Sequence, residues 1–190
     1  GQPVYDVEIA NQIVNRFDYD HILGSVHNLR GQEDFYFMKD LTLDKAESLL
    51  TEYFNEILEL LKWGNFDVLA HLTYPLRYFY SQSNLDIDLN NFKKQIDEIL
   101  LLSAKSDKAL EINTGALRQP LKRLTPEIDI IKRFKELGGS FVSVGSDAHY
   151  TEHLSLGIDV AYDAALKAGF DSITFFQKRT PIQMKIELEG

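Results

Sequence analysis

The chain has 190 residues, of which 44% are hydrophobic and 26% are charged, a balance typical of one compact domain and not of a disordered chain. It contains no cysteine, which excludes disulfides, thiolate metal sites and cysteine nucleophiles and leaves His, Asp and Glu as candidate metal ligands. The formal net charge of −9 argues against bulk nucleic-acid binding, and the lack of long apolar runs and of a signal-peptide pattern predicts a cytoplasmic protein without membrane contact.

Short apolar runs alternate along the chain with longer stretches of helical periodicity. An alternation of this kind predicts βα units and an α/β fold with a mainly parallel sheet. The predicted strands cover 19–26, 66–70, 109–112, 140–144 and 172–176. The predicted helices cover 43–63, 89–105, 126–137 and 161–168.

Capping residues support these helices. Thr42 precedes an apolar face of helical spacing and is expected to cap the first predicted helix. Thr125 and Pro126 are expected to start the third predicted helix, as its cap and its first helical residue. Helix ends are predicted at Gly64, at Gly138 with Gly139, and at Gly169.

Polar side chains follow four of the five predicted strands. Because the carboxyl ends of parallel strands meet at one edge of a sheet, where α/β folds place their sites, we expect these side chains to lie close together. The fifth run has no such group and is predicted to be a packed terminal strand. The polar side chains are His27, His71, Glu111, Asn113, Asp147 and His149.

A single histidine after a strand is more often structural than a metal ligand. Repeated imidazole and carboxylate groups at one sheet edge instead favour a cysteine-free site for Zn²⁺, Mn²⁺ or Fe²⁺. Asp147 and His149 are two positions apart, so both side chains point the same way if the segment is extended. They can then be two ligands of one metal, or a ligand beside a general acid or base.

Four further residues have alternative interpretations. Glu111 has three alternative roles: it is a metal ligand, it orients a ligand histidine by a hydrogen bond, or it closes a strand–loop junction. Asn113 either orients a ligand or closes the junction. His21 has no evident partner in the sequence and is expected in the core or on the surface. His153 either holds substrate or lies on a solvated face, and the solvated face is favoured.

Two arginines follow candidate ligands closely. Arg77 and Arg118 are either solvated loop charges or a positive pocket that binds a phosphate group through paired hydrogen bonds. Arg30 is a weaker third candidate. The loop 31–39, with two acidic and three aromatic residues, either closes over a substrate or only packs.

Four stretches of the chain, at 17–27, 66–72, 110–118 and 144–149, share one resemblance. Together they resemble the PHP superfamily of metal-dependent phosphoesterases, most closely its histidinol-phosphatase branch. The resemblance implies a distorted (β/α)7-type barrel whose two or three divalent metal ions, Zn, Mn or Fe, serve hydrolysis of a small phosphate monoester, L-histidinol phosphate, in histidine biosynthesis. It implies that His27, His71, Asp147 and His149 are metal ligands and that Arg77 and Arg118 bind phosphate. With these roles, Asp147 and His149 are the expected catalytic residues, and Glu111 and Asn113 are expected to orient the ligands.

Two alternatives remain. Another PHP activity, such as a protein-tyrosine phosphatase or a polymerase-associated exonuclease, would use the same groups, although the acidic charge disfavours the exonuclease. In a non-catalytic remnant, the same histidines would serve structure only.

This sequence lacks part of the motif pattern that is typical of the family. An N-terminal His-x-His motif, a further histidine and a glutamate expected just ahead of the region that resembles 1–3 are not found. We therefore expect 1–190 to be a single PHP-type domain without its N-terminal strands, a C-terminal portion of a longer chain that is nearly inactive alone. Five strands are also too few to close such a barrel.

Overall fold

The computed structural model describes residues 3–187. Gly1 and Gln2, which belong to the region before which the family pattern has a glutamate, lie outside the described residues. None of the helices in 3–187 is both long enough and apolar enough to cross a membrane. The helices are α1 (Val7–Val14), α2 (Leu43–Trp63), α3 (Tyr74–Ser83), α4 (Lys93–Lys105), α5 (Ile128–Glu136) and α6 (Ile158–Lys167). The strands are β1 (Leu23–Gly24), β2 (Val68–Leu69), β3 (Ala109–Asn113), β4 (Val142–Gly145), β5 (Ser172–Gln177) and β6 (Thr180–Lys185).

The first four strands form one parallel sheet in the order β1-β2-β3-β4. This confirms the α/β fold with a parallel sheet that the strand–helix alternation predicts. Within 3–187 this sheet is open, because β1 forms one of its edges, β4 forms the other, and the two do not pair with each other. The closed (β/α)7-type barrel is therefore not formed by the described residues.

The two faces of the sheet are covered differently. Leu69, Leu110 and Val142 face the main hydrophobic core, where α2, α4, α5 and α6 lie side by side in that order. Val68 and Ala109 face the opposite side, where they pack against Phe176 of β5. This alternation follows from the two-residue period of a strand. Helices thus cover one face, and Phe176 of β5 packs against the other, whereas Ile173 of the same strand belongs to the main core.

The last predicted strand is not a terminal strand, which corrects the sequence-based prediction. β5 pairs antiparallel with β6, which the sequence analysis missed because most of its side chains are exposed and show no buried alternation. The hairpin turn contains Lys178 and Arg179, both with positive φ. The Arg179 backbone N–H donates to the Asp20 carbonyl (2.8 Å), and Arg179 Nε lies 2.5 Å from Asp67 Oδ2. The turn is therefore anchored at the amino-terminal end of β2.

Helix α2 has the bounds that its sequence predicts. Thr42 Oγ1 accepts a hydrogen bond from the Lys45 backbone N–H (3.3 Å), which confirms the predicted cap. Gly64 ends the helix with a φ of 67°, a left-handed conformation that glycine adopts without a steric cost. The buried apolar side chains of α2 recur at helical spacing, and this face packs into the main core.

Other predicted helix starts are wrong where tertiary contacts decide them. The Thr125–Pro126 peptide bond is cis, and α5 begins at Ile128 with Glu127 at the cap position. Thr125 is therefore not a cap, and its Oγ1 accepts from Arg77 Nη2 instead (3.3 Å). The segment Leu89–Phe92 is a 3₁₀ turn ahead of α4, and α6 begins three positions earlier than predicted. Helices α1 and α3 are not predicted by the sequence patterns.

Candidate metal and phosphate site

The polar groups that follow β2, β3 and β4 meet at the carboxyl edge of the sheet. His71 follows β2, Glu111 and Asn113 belong to β3, and Asp147 follows β4. The register pairs Asn113 with the last residue of β4, so the turn that carries Asp147 begins beside Asn113. Hydrogen bonds join the side chains of Glu111, Asn113 and Asp147 and the backbone N–H of His71 to Arg77 in one network.

Glu111 holds His71 through the main chain. The His71 backbone N–H donates to Glu111 Oε2 (3.0 Å), and the ring Nδ1 lies 3.2 Å from the same oxygen, at an angle that does not make a hydrogen bond. Burial raises the pKa of Glu111 to about 7, although bonds from His71 N–H and the Asn113 amide oppose this rise. Burial also lowers the pKa of His71 to about 4, so its ring is neutral at neutral pH, as metal binding requires.

Arg77 lies in helix α3 and not in a loop, which corrects the sequence-based interpretation. Its side chain is only 2% exposed, and Nη1 forms an ion pair with Asp147 Oδ2 at 2.8 Å. Nη2 donates to Asn113 Oδ1 (3.2 Å) and to Thr125 Oγ1 (3.3 Å). Burial alone would raise the pKa of Asp147, but the hydrogen bond and the positive charge of Arg77 outweigh it and lower that pKa. Asp147 is therefore ionised at neutral pH.

The Arg118 side chain binds the backbone carbonyls of the turn after β4. It ends the 3₁₀ helix Gly115–Arg118, and its Nη2 donates to the carbonyls of Ser146 (2.7 Å) and Asp147 (3.1 Å). Nη1 of Arg118 and Nε of Arg77 are buried, and neither makes a hydrogen bond to the described residues. Both arginines thus bracket Asp147, one through its carboxylate and one through its backbone.

His27 lies beside His71 but is more exposed. The two ring centroids are 5.5 Å apart, and 47% of the His27 side chain is exposed. Burial lowers the pKa of His27, and the nearby His71 ring adds to this effect. Its Nδ1 lies 3.7 Å from Asp34 Oδ2, and its ring stacks on Tyr74 at 4.5 Å between centroids. The structure therefore brings together the histidines predicted from the first two strands.

The segment from Asp147 to His149 is not extended, which corrects the premise of that prediction. Asp147 has a φ of 51°, so the chain turns before it reaches His149. The His149 side chain is 76% exposed. Its Nδ1 lies 3.0 Å from the Asp147 carbonyl and 3.9 Å from Asp147 Oδ1. His149 thus stays close to Asp147 but projects to the surface.

The remaining candidates lie around this network. His21 is exposed, which agrees with the surface position and not with the core position among its two predicted placements. His153 is half-buried in the 3₁₀ helix Thr151–His153, with its ring edge-to-face against Tyr150. Arg30 is exposed, with its guanidinium 5.6 Å from the centroid of the Tyr5 ring.

The loop 31–39 packs in part against the core. Phe35 is fully buried, whereas Tyr36 and Phe37 are more than half exposed. Asp34 Oδ1 accepts from the Tyr74 hydroxyl at 2.8 Å. The loop is thus tied to α3 beside His27, and its two exposed aromatic side chains remain free of the core.

The donor groups fit a metal ion in part. A carboxylate beside Nδ1 of a histidine leaves Nε2 as the donor for a metal. The buried His71 Nδ1 lacks a hydrogen bond to the described residues, and its ring is neutral beside an ionised Asp147. In 3–187, however, no three His, Asp or Glu side chains form a group that could hold a metal ion. The distances from Nδ1 to the nearest carboxylate oxygen are 3.7 Å (His27 to Asp34), 3.2 Å (His71 to Glu111) and 3.9 Å (His149 to Asp147).

Sequence reasoning missed Tyr74 and Thr125. Tyr74 contacts the His27 ring, and Thr125 accepts from Arg77. The only signal for Tyr74 is its position three residues after His71, which does not distinguish it from other tyrosines. Thr125 resembles a helix cap in the sequence, and this resemblance hid its contact with a residue far away in the chain.

Comparison with known families agrees with this architecture. The sequence profile of the PHP domain matches residues 5–115, a stretch that contains His27, His71, Arg77 and Glu111. Because this match covers more than half of the chain, the chain belongs to the PHP domain family. Arg118, Asp147 and His149 lie beyond the matched stretch.

Within that family the chain is of the histidinol-phosphatase type. It is 32% identical over 178 residues to a "Probable histidinol-phosphatase" of Clostridium acetobutylicum, covering 92% of this chain and 68% of that protein. It is 31% identical over 169 residues to the histidinol-phosphatase of Lactococcus lactis, covering 87% of this chain and 61% of that protein.

A solved structure shares the fold. The crystal structure of histidinol phosphate phosphatase from Lactococcus lactis, complexed with zinc, L-histidinol and phosphate, superposes with a TM-score of 0.78 at 29% identity. The alignment covers 94% of this chain and 67% of that one. The α/β architecture described above is thus that of a histidinol phosphatase over nearly the whole of the present chain.

Proposed function

We propose that this chain supplies one side of the active site of a metal-dependent phosphomonoesterase whose substrate is L-histidinol phosphate. The observation that carries the proposal is the buried network at the carboxyl edge of the sheet. It pairs an ionised carboxylate with a buried guanidinium, and hydrogen bonds through Asn113 and Glu111 connect this pair to His71, whose imidazole is neutral. Relatives named histidinol-phosphatase, and a similar structure complexed with zinc, L-histidinol and phosphate, support this choice of substrate.

The proposed metal ligands are His27, His71, Asp147 and His149. When bound, divalent ions (Zn²⁺, Mn²⁺ or Fe²⁺, two or three in a complete site) lower the pKa of a coordinated water and offset charge on the phosphoryl oxygens. Glu111 keeps His71 in place through its main-chain N–H. Asp147 and His149 are also the proposed catalytic pair: Arg77 fixes the ionised Asp147 carboxylate, and the exposed His149 ring is accessible to substrate.

The two arginines have different proposed parts in phosphate binding. Arg77 is buried and already bonded to Asp147 and Asn113, so it adds positive charge and fixes the carboxylate. Arg118 is less buried than Arg77 as a whole, and its Nη1, although buried in this structure, makes no hydrogen bond to the described residues, so Arg118 is the proposed direct donor to a phosphoryl oxygen. A guanidinium held from one side by backbone carbonyls is already oriented for such a contact.

We also propose that 1–190 belong to one PHP-type domain whose site is completed by strands outside this chain. β1 lies at an edge of the open sheet, and its Leu23 is 50% exposed. The described residues do not by themselves form a three-ligand metal group. A cytoplasmic location and the absence of nucleic-acid and membrane partners stay predictions.

Metal content and phosphate release test the proposal. The chain is loaded with Zn²⁺, dialysed against metal-free buffer and analysed by mass spectrometry for zinc. It is then assayed with L-histidinol phosphate and with a phosphotyrosine peptide. We expect retained zinc and slow release of phosphate from L-histidinol phosphate only. A chain that retains no zinc would contradict the metal site and favour a structural remnant, and faster hydrolysis of the peptide would replace the proposed substrate. Enzyme-like turnover by this chain alone would refute the need for further strands.

A further inference from the structure

Tyr74 is the shared neighbour of three candidate site residues. It is the first residue of α3 and is 5% exposed. Its ring stacks on His27 at 4.5 Å between centroids and 18° between planes, and it meets His71 edge-on at 6.0 Å. The Arg77 guanidinium carbon lies 5.2 Å from the ring centroid on the same helix. One side chain thus contacts both histidines and the buried arginine.

The Tyr74 hydroxyl fixes where the ring lies. It donates to Asp34 Oδ1 at 2.8 Å. The same oxygen accepts from the Tyr36 backbone N–H (2.8 Å), so Asp34 is itself held by the start of a 3₁₀ turn. The other carboxylate oxygen of Asp34 lies 3.7 Å from His27 Nδ1. Asp34 therefore faces both the hydroxyl of Tyr74 and the ring of His27.

These contacts matter most for His27. Its side chain is half-exposed and follows a two-residue strand, so little of the core restrains it. A half-exposed side chain of this kind exchanges between rotamers unless a neighbour holds it. Stacking on an aromatic face changes an equilibrium of this kind by up to about tenfold. The Tyr74 ring is the aromatic surface that lies parallel to His27 in this structure.

We propose that Tyr74 is a positioning residue, which fixes the His27 ring next to His71 by stacking and is itself fixed through its hydroxyl on Asp34. The inference depends on the proposed function in one respect only, namely that His27 is a metal ligand. The orientation of the ring is a property of the chain itself and can be measured without metal or substrate.

The test compares Tyr74→Leu, Tyr74→Met and Tyr74→Phe with the control Tyr80→Leu. Tyr80 lies on the same helix and packs against the main core. The first readout is the NMR signals of the His27 ring protons, which the Tyr74 ring current displaces. The second is the affinity for Zn²⁺ alone, measured by titration of the same samples.

We expect Tyr74→Leu and Tyr74→Met to move the His27 signals towards those of free histidine and to weaken Zn²⁺ binding by about tenfold. Tyr74→Phe keeps the ring but loses the hydrogen bond to Asp34, so it should retain most of the signal displacement and weaken Zn²⁺ binding by no more than about threefold. Tyr80→Leu should change neither readout.

Three outcomes would overturn the assignment. They are unchanged His27 signals in Tyr74→Leu or Tyr74→Met, an equal effect of Tyr80→Leu, and unfolding of both non-aromatic variants, which would assign Tyr74 to the core instead. If the unmodified chain binds no Zn²⁺, the proposed metal site fails, and the His27 signals still decide the role of Tyr74.

Discussion

Arg77 and Asp147 form a buried ion pair between helix α3 and the turn after β4, with 2.8 Å between Nη1 and Oδ2. A guanidinium that is 2% exposed has lost its water and depends on its protein partners for compensation. Its second terminal nitrogen reaches β3 and the segment before α5 through Asn113 and Thr125. The pair therefore connects four parts of the chain at the point where we place the site.

Removal of this guanidinium is expected to destabilise the fold. Arg77→Met keeps much of the apolar length of the side chain but leaves Asp147 as a buried charge without its counter-ion. Breaking one side of a buried pair costs about 3 to 5 kcal/mol, and we expect the lower end because Asp147 keeps some contact with solvent. Urea denaturation measures this loss as a fall in the free energy of unfolding.

The matched control is Arg123→Met. Arg123 pairs with Asp86 at 2.6 Å, but both side chains are more than one-third exposed. Exposed pairs contribute about 0.2 to 1 kcal/mol, so we expect a much smaller loss than for Arg77→Met. Equal losses of free energy of unfolding in the two variants would show that burial does not make the Arg77–Asp147 pair more important for stability than an exposed pair.

The free energy of unfolding of the chain should decrease as the pH rises, because of Glu111. Burial raises the pKa of this carboxyl to about 7, above its ordinary value of 4.5, so the folded chain binds the proton more tightly than the unfolded chain. The stabilising effect of that proton is complete below about 4.5 and is lost as the pH rises through about 7. At 1.36 kcal/mol per pKa unit, the change between pH 5 and pH 8 is about 2 kcal/mol.

Glu111→Gln removes this titration. We expect its free energy of unfolding, relative to the unmodified chain, to increase by about 2 kcal/mol from pH 5 to pH 8. Urea denaturation at both pH values measures the difference. Glu152→Gln is the control, because Glu152 is exposed, and it should show no such increase. A constant difference for Glu111→Gln would mean that this carboxyl does not titrate in the range.

Zinc binding should depend on His71 and not on His21. His71 lies in the network at the carboxyl edge, whereas His21 is exposed and lies before the start of β1. We expect His71→Ala to lower Zn²⁺ affinity at least about tenfold, because a ligand is lost. Titration of both variants measures this effect, and an equal loss in His21→Ala would show that the two histidines were wrongly divided.

Gly145 should not tolerate a side chain. A Cβ added at Gly145 would collide with the Glu111 carboxylate, whose Oε1 is its nearest neighbour. We expect Gly145→Ala to cost about 1 to 3 kcal/mol, since Glu111 must move away from His71. In a Glu111→Ala background the space is free, so the same substitution should cost less than about 1 kcal/mol. Equal costs in the two backgrounds would contradict the contact.

Sequence patterns predicted the parts of this fold that short-range physics controls. Helix α2 was predicted with its bounds, because its apolar spacing, the Thr42 cap and the left-handed Gly64 all act within a few residues. The parallel sheet followed from the alternation of strands and helices. The same alternation placed His71, Glu111 and Asp147 at one edge, because the carboxyl ends of parallel strands coincide.

The tertiary structure alone decided how these residues are used. Arg77 looked like a loop charge but is buried against Asp147, seventy positions away, and Thr125 looked like a cap but binds Arg77. Tyr74 had only its position three residues after His71 as a signal, which does not distinguish it from other tyrosines. The physical reason is that capping and periodicity depend on neighbours along the chain, whereas burial, ion pairing and ring stacking depend on neighbours in space. The sequence by itself thus determined which groups reach the edge of the sheet, and only the tertiary structure decided which of them touch.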